Sequence, residues 1–225
     1  MSKLWDWDFA FKCAPLLAEA AVVTVQATLL AYLISLAGGL VFAIARRNAP
    51  PRVSRVVTES VEVIRTTPLL VQIYFLYFVG PQFGFDIPAW TAGLLALGIH
   101  YSCYTAEVYR AGLANVNRGQ WEAATALNFG AFRTYWSIVL PQAIPPMIPM
   151  LGNYLISMFK ETPLLSVISI IEIMARAKLI GNEYYRYTEP VTLVGIFFLV
   201  VSLVSAKAIS VAEHKLNPKE RRNVR

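Results

Sequence analysis

The sequence predicts an all-α fold: a polytopic helical membrane protein of about five transmembrane helices, with its N-terminus outside and its C-terminus cytoplasmic. Three observations carry that expectation. The chain of 225 residues is 56% hydrophobic with a mean hydropathy of +0.51, well above what a soluble core needs. Stretches without any Asp, Glu, Lys or Arg run from Ala20 to Ala45, Thr66 to Phe85, Ile87 to Ala106, Thr134 to Phe159 and Pro190 to Ala206. Each approaches or exceeds the ~20 residues that a helix needs to cross a ~30 Å hydrocarbon layer. Unpaired backbone groups are not tolerated in lipid, and the runs lack the short alternating pattern of barrel strands, so helices are the remaining solution. The third observation is where the cations fall. Arg46, Arg47, Arg52 and Arg55 separate the first two runs, and Arg110, Arg118 and Arg133 separate the third from the fourth. Lys207, Lys215, Lys219, Arg221, Arg222 and Arg225 follow the fifth. By the positive-inside rule these segments are cytoplasmic.

Residues 1–15 read as an external interfacial segment, because Trp5-Asp6-Trp7-Asp8-Phe9 is acidic and aromatic rather than a basic signal-peptide head. No cleaved targeting segment is expected. The first span starts near Leu16 and ends before Asn48-Ala49-Pro50-Pro51, a breaker. Gly38-Gly39 within it leaves room for a close helix neighbour. The second span begins close to Val53, carries Glu59, Glu62 and Arg65 in its cytoplasmic half and emerges at the turn Gly80-Pro81-Gln82-Phe83-Gly84. Span three then runs to about Gly112. In the fourth region Pro141, Pro145, Pro146 and Pro149 predict a kink or break, with helix resuming near Leu151. Thr162 to Ile171 is too short to cross, and the charged segment after it fits a partly embedded external helix. A last span leads to a basic tail over 214–225. Residues 16–213 thus form one membrane domain.

Several chemistries are excluded or lack support. The chain has no G-x-x-x-x-G-K-[ST] loop and no H-E-x-x-H, and its histidines, His100 and His214, lie far apart. Cys13 and Cys103 have no metal or redox spacing and read as small apolar fillers. Nothing interleaves basic and aromatic residues as nucleic-acid binding requires. His100 is expected to bond a neighbouring helix, and Glu107 and Arg110, three apart, to pair with each other. The echo between Arg65-Thr66-Thr67-Pro68-Leu69-Leu70 and Lys160-Glu161-Thr162-Pro163-Leu164-Leu165 reads either as two independent helix starts or kinks, or as two helix N-termini facing a central cavity.

The most informative segment is Asn117 to Gly130. Asn117 with Gln120 three residues later has the form of a capping box, and Asn128 or Gly130 can take the left-handed conformation that stops a helix. A short cytoplasmic helix over about 117–130 follows. Trp121, Ala124 and Leu127 can share a face, and Ala123 keeps the profile narrow. Such a helix can lie on lipid or fit a groove on another protein.

Glu122-Ala123-Ala124, followed by Ile138-Val139-Leu140-Pro141, resembles the EAA loop of ATP-binding-cassette importer permeases. The glycine of that pattern, six residues after the glutamate, is Asn128 here, the next-best residue for left-handed backbone. Arg65 to Gln72, Tyr104-Thr105-Ala106-Glu107-Val108-Tyr109-Arg110-Ala111-Gly112 and Lys160 to Ile168 are similar to the polar amino-acid branch of the same permeases. Nearly the whole chain after Leu16 is covered. The resemblance implies a type I importer permease fold in the cell inner membrane. It implies a cytoplasmic ATPase dimer that binds ATP and Mg, a second permease chain, identical or paralogous, and an external solute-binding protein. No cofactor and no catalytic residue are expected in this chain. By motif position Glu122, Ala123, Ala124, Leu127, Asn128 and Gly130 form the coupling contact. Arg65, Thr67, Gln72 and Lys160 are the candidates for lining the solute path, since a zwitterion needs a cation and hydrogen-bonding groups. The opening Trp5-Asp6-Trp7-Asp8-Phe9 also resembles permeases for ectoine-type compatible solutes. Of the rival readings, a secondary transporter predicts more spans and an inverted repeat, and a channel or structural subunit needs no groove-fitting cytoplasmic helix.

Overall fold

A computed structural model of the chain describes residues 5–216, so the first four residues and the tail with Lys219, Arg221, Arg222 and Arg225 lie outside the described residues. Helix α1 (Trp7–Asn48) starts nine residues earlier than its apolar run suggests, and Pro15 sits inside it. The reason is local: the Asp6 carboxylate caps it, accepting from the backbone N–H of Asp8 at 3.0 Å and of Phe9 at 3.3 Å. The expected interfacial segment is therefore largely the first turns of α1. Its 42 residues extend roughly 63 Å, well beyond a hydrocarbon layer.

Helix α2 (Pro51–Thr66) and helix α3 (Leu69–Tyr74) replace the single straight second span. The chain bends by 106° between Pro51–Thr66 and Leu69–Phe83. Thr67-Pro68 is the cause: Pro68 cannot donate, and it drives Thr67 into extended backbone at ψ 132°. After α3 the chain widens through a π-helical stretch, Phe75–Val79, and closes in a tight turn, Gly80–Phe83, where Gly84 adopts a φ of 83°. That turn matches the expectation.

Helix α4 (Ala89–Ala114) packs most extensively against α1. Ala27 and Ala31 of α1 meet Ala96, Leu97 and Tyr101 of α4, and Leu69, Ile73, Met158, Leu165 and Ile168 complete the central core. Gly39 lies directly against Thr105 and the Ala106 backbone, so the predicted close approach is real. Helices α5 (Arg118–Ala126) and α6 (Ala131–Thr134) and a π-helical turn, Tyr135–Val139, lead into α7 (Leu140–Glu161). The prolines do not break α7. Pro141 occupies the start, where no donor is needed, and the other three fall early in the helix, after the widened turn that precedes it.

The two Thr-Pro-Leu-Leu segments behave alike, though neither threonine caps the helix that follows. Thr67 Oγ1 donates back to Val63 O at 2.7 Å and Thr162 Oγ1 to Phe159 O at 2.8 Å, the local bonding that competes with capping. Leu69 and Leu165 then both pack into the central core. A short turn, Thr162–Ile168, leads to helix α8 (Ile173–Tyr184), the expected short helix between α7 and the last span. Glu172 caps it, accepting from Ala175 N at 2.7 Å and Met174 N at 3.0 Å. Burial pushes the Glu172 carboxyl above the usual range, against the pull of those two N–H groups. Cys13, Leu17 and Ala20 of α1 pack on Ile173, Ala177 and Ile180 of α8 and on Val194 of helix α9 (Thr188–Leu216). Arg186 and the buried Glu189 fasten this end, with Glu189 also accepting from Asp6 N at 2.8 Å. By length and composition α1 and α9 qualify as membrane spans, with mean hydropathies of 2.1 and 2.2, and the bent pair is a third if taken as one. Cys13 and Cys103 are free and buried, as fillers.

Candidate functional site

Two places gather the residues singled out by sequence. The first is α5, at the end of the bundle where α1 and α4 finish. Asn117 caps it, its side-chain oxygen accepting from Gly119 N at 2.8 Å. The reciprocal half of the capping box is absent, because the Gln120 side chain accepts instead from Gln142 Nε2 at 3.3 Å. At the other end Phe129 N bonds Ala124 O at 3.0 Å and Asn128 N bonds Thr125 O at 2.9 Å, with Asn128 at a φ of 54°. This is the left-handed stop expected at Asn128. Replacing Asn128 with valine is expected to speed amide exchange at Phe129 by about tenfold, since a β-branched residue loses ~1–2 kcal/mol in that conformation. Asn128→Gly should leave it unchanged; hydrogen exchange read by mass spectrometry checks both.

The face of α5 is divided differently from the expectation. Ala124 is buried and Trp121 half-buried, while Leu127 is 67% exposed. Trp121 meets Tyr135 edge-on at 5.3 Å, beside a core of Val108, Val116, Val139, Ala143 and Met147. The Arg47 guanidinium from the end of α1 sits 5.2 Å from the Trp121 ring. Trp121 and Ala124 therefore hold α5 to its own chain. Glu122, Ala123, Leu127, Asn128 and Gly130 are exposed. Of the six residues assigned to coupling, only Ala124 faces inward, and its small side chain is what lets the helix lie flat.

The second place is the break at Thr67-Pro68. Arg65, Thr67 and Gln72 come together there, but Lys160 does not join them and is exposed at the end of α7. Gln72 Nε2 donates to Ile64 O at 2.7 Å and to Thr67 O at 2.9 Å, bridging the bend. His100 Nδ1 lies 3.3 Å from Gln72 Oε1, so the histidine does bond a neighbouring helix. A cavity of about 510 Å³ beside the bend has Thr67 and Gln72 as its polar lining, among Val63, Val71, Phe75 and Ile99. Arg65 pairs with Glu62 at 3.1 Å, and its guanidinium lies 5.2 Å from the Tyr104 ring. Tyr101, Tyr104 and Tyr154 form an aromatic group whose ring centroids are 5.6–6.2 Å apart. Tyr101 donates to Glu161 Oε2 at 2.9 Å. Sequence reasoning missed the tyrosines because residues 101 and 104 meet 154 only in the folded bundle. The one available signal was hydroxyl-bearing rings inside charge-free runs, which is unusual in a purely lipid-facing helix.

Glu107 and Arg110 pair as expected, at 2.8 Å, and Glu107 also takes Arg46 from α1.

Comparison with known proteins agrees with the geometry. Residues 17–216 match the family model described as binding-protein-dependent transport system inner membrane component. A probable amino-acid ABC transporter permease protein of Sinorhizobium fredii is 40% identical over 219 residues, covering 94% of this chain and 95% of that protein. A putative glutamine transport system permease protein of Rickettsia conorii is 31% identical over 189 residues, covering 83% and 87%. Among solved structures, one described as an amino acid ABC transporter with histidines superposes with a TM-score of 0.87 at 36% identity, over 94% of this chain and 99% of that one. A separate subunit supplies the ATPase in such systems, so no enzymatic site is required here, and the secondary-transporter and channel readings fall away. The chain belongs to the binding-protein-dependent transport system inner membrane components, as the permease subunit of an amino-acid ABC importer.

Proposed function

We propose that this permease carries a polar amino acid or an amino-acid-like zwitterion, with ectoine among the candidates, and that a cytoplasmic ATPase drives it through the exposed surface of α5. The observation that carries the reading is the division of α5. Its inward residues, Trp121 and Ala124, join it to α1 and to the turn before α7, and its exposed residues leave Glu122 and Ala123 available to a groove on another protein. A push on that helix is transmitted as a rigid body, because aromatic rings and a guanidinium, rather than a loop, form the joint. ATP and Mg belong to the partner ATPases, two permease chains share the path, and an external binding protein delivers the solute. In this reading α1, the bent pair, α4, α7 and α9 are five crossings, and the end carrying Arg46, Arg47 and α5 faces the cytoplasm.

For the path, Arg65, Thr67 and Gln72 supply a cation and amide and hydroxyl groups near a bend whose backbone can repack. Tyr104 and Glu161 add a ring face and a carboxylate, suited to the positive half of a zwitterion. Lys160 is the outlying member. Membrane vesicles holding this chain with its ATPase and binding protein, loaded with ATP, should accumulate labelled polar amino acids or ectoine. Accumulation driven by an ion gradient without ATP would sink the coupling, and failure of every zwitterion tested would sink the solute class.

A further inference from the structure

Where α1, α2 and α4 converge beside α5, a cavity of about 380 Å³ is lined by Arg46, Arg47, Thr58, Arg110, Leu113 and Ala114, among others. Three arginines thus line it, and Glu107, the one carboxylate paired with any of them among the described residues, is held by Arg46 and Arg110 together. Arg47 has no carboxylate partner among the described residues; it rests on the Trp121 and Tyr135 rings at 5.2 and 5.8 Å. Three arginines against one glutamate leave the cluster cationic.

Helix capping is the ordinary explanation for such charges, since α1 and α4 both end here and cations favour a helix C-terminus. Three of the last-turn carbonyls, however, already have donors. Ala45 O accepts from Ala49 N at 3.1 Å, Arg46 O from Ser54 Oγ at 2.7 Å, and Ala111 O from Asn115 N at 3.0 Å. The remaining walls of the cavity these arginines line are largely aliphatic, from Ala43, Ala106, Leu113 and Ala114. Forked guanidiniums match phosphate oxygens, and aliphatic walls next to them match the hydrocarbon that a lipid phosphate brings with it. A basic pocket between membrane helices is the form that anionic head-group sites take.

We infer that this cavity holds the phosphate of an anionic phospholipid, gripped by Arg47 and Arg110, with its glycerol and acyl portion along Leu113 and Ala43. Assignment to the cytoplasmic leaflet rests on the orientation proposed above, whereas the phosphate site itself does not. The test uses the full chain in mild detergent, with phosphatidylglycerol and phosphatidylcholine as probes and retention read by native mass spectrometry. Wild type should retain phosphatidylglycerol about tenfold better than phosphatidylcholine, the scale of one charge-assisted contact. Arg47→Gln should remove most of that preference and Arg47→Lys should restore part of it. Because Arg47 also touches Trp121, the second variant is Ala114→Trp. Ala114 is exposed, so the indole fills the cavity without entering the core, and retention should again fall about tenfold. Equal retention of both lipids by wild type, or undiminished retention by both variants, overturns the site. Complete displacement by glycerol 3-phosphate keeps the phosphate chemistry and overturns the lipid as its source.

Discussion

Replacing Glu122 with lysine is expected to lower ATP-dependent uptake by a hundredfold or more while leaving the permease folded and inserted. The two halves of that result have separate grounds. Glu122 is 69% exposed in its side chain and, among the described residues, pairs only with Arg118, itself 93% exposed, at 3.3 Å one helical turn away. An exposed pair of that kind contributes about 0.3–0.5 kcal/mol, far too little to unfold a helix that is capped at both ends and held by Trp121. At the docking surface proposed for α5 the same exchange would set a cation where the wild type presents an anion. Like-charge juxtaposition there costs several kcal/mol, and each 1.4 kcal/mol is a factor of about ten. Arg118→Ala is the control: it breaks the intrahelical pair and should cost little transport. Uptake by the Glu122→Lys complex at the wild-type rate would mean that this face of α5 does not couple.

A single methyl group at Gly39 is expected to damage the fold more than any surface charge. An added Cβ would stand 2.0 Å from Thr105 Oγ1 and 2.9 Å from the Ala106 backbone nitrogen. Neither neighbour yields cheaply. Thr105 is fully buried and donates to Ser35 O at 2.7 Å, so swinging its hydroxyl away gives up a bond in the same interface. The other contact is main chain. Helices α1 and α4 must separate, with overpacking of about 1–3 kcal/mol and the lost hydrogen bond of about 1 kcal/mol acting together. The unfolding midpoint of purified Gly39→Ala in detergent should therefore drop by several degrees. Gly195→Ala on α9 is the matched control, because nothing lies within 4 Å of its added methyl. There the usual preference of a helix for alanine, about 1 kcal/mol, should hold or raise the midpoint. An unchanged midpoint for Gly39→Ala would show that the α1–α4 contact is looser than its geometry.

The residues that were legible in sequence share one property: their signal is local. Asp, Glu, Lys and Arg are absent from the runs that became the middle of α1 and of α9 and most of α4 and α7, because a charge in hydrocarbon is expensive wherever it sits. The left-handed stop at Asn128, the cap at Asn117, the turn at Gly84 and the Glu107–Arg110 pair all depend on neighbours within a few residues. The elements whose path the local signal left open depended on something farther away. Thr67-Pro68 reads in sequence as a helix start or kink, and Pro141 to Pro149 as a kink or break. In the structure the first pair turns the chain through 106° and the second group is carried inside α7. A proline removes a donor and fixes one torsion; whether the chain then bends is decided by the packing around it.

By itself, then, the sequence determined that this chain crosses a membrane as helices, where its cations lie, and that a short capped helix carries Glu122-Ala123-Ala124. Charge, apolar length and capping chemistry are written one residue at a time. Only the tertiary structure decided that Ala124 faces inward, that Arg47 reaches Trp121, and that Tyr101, Tyr104 and Tyr154 gather beside Arg65 and Glu161. Those contacts join residues tens of positions apart, and helix-on-helix packing, which no local pattern encodes, brings them together.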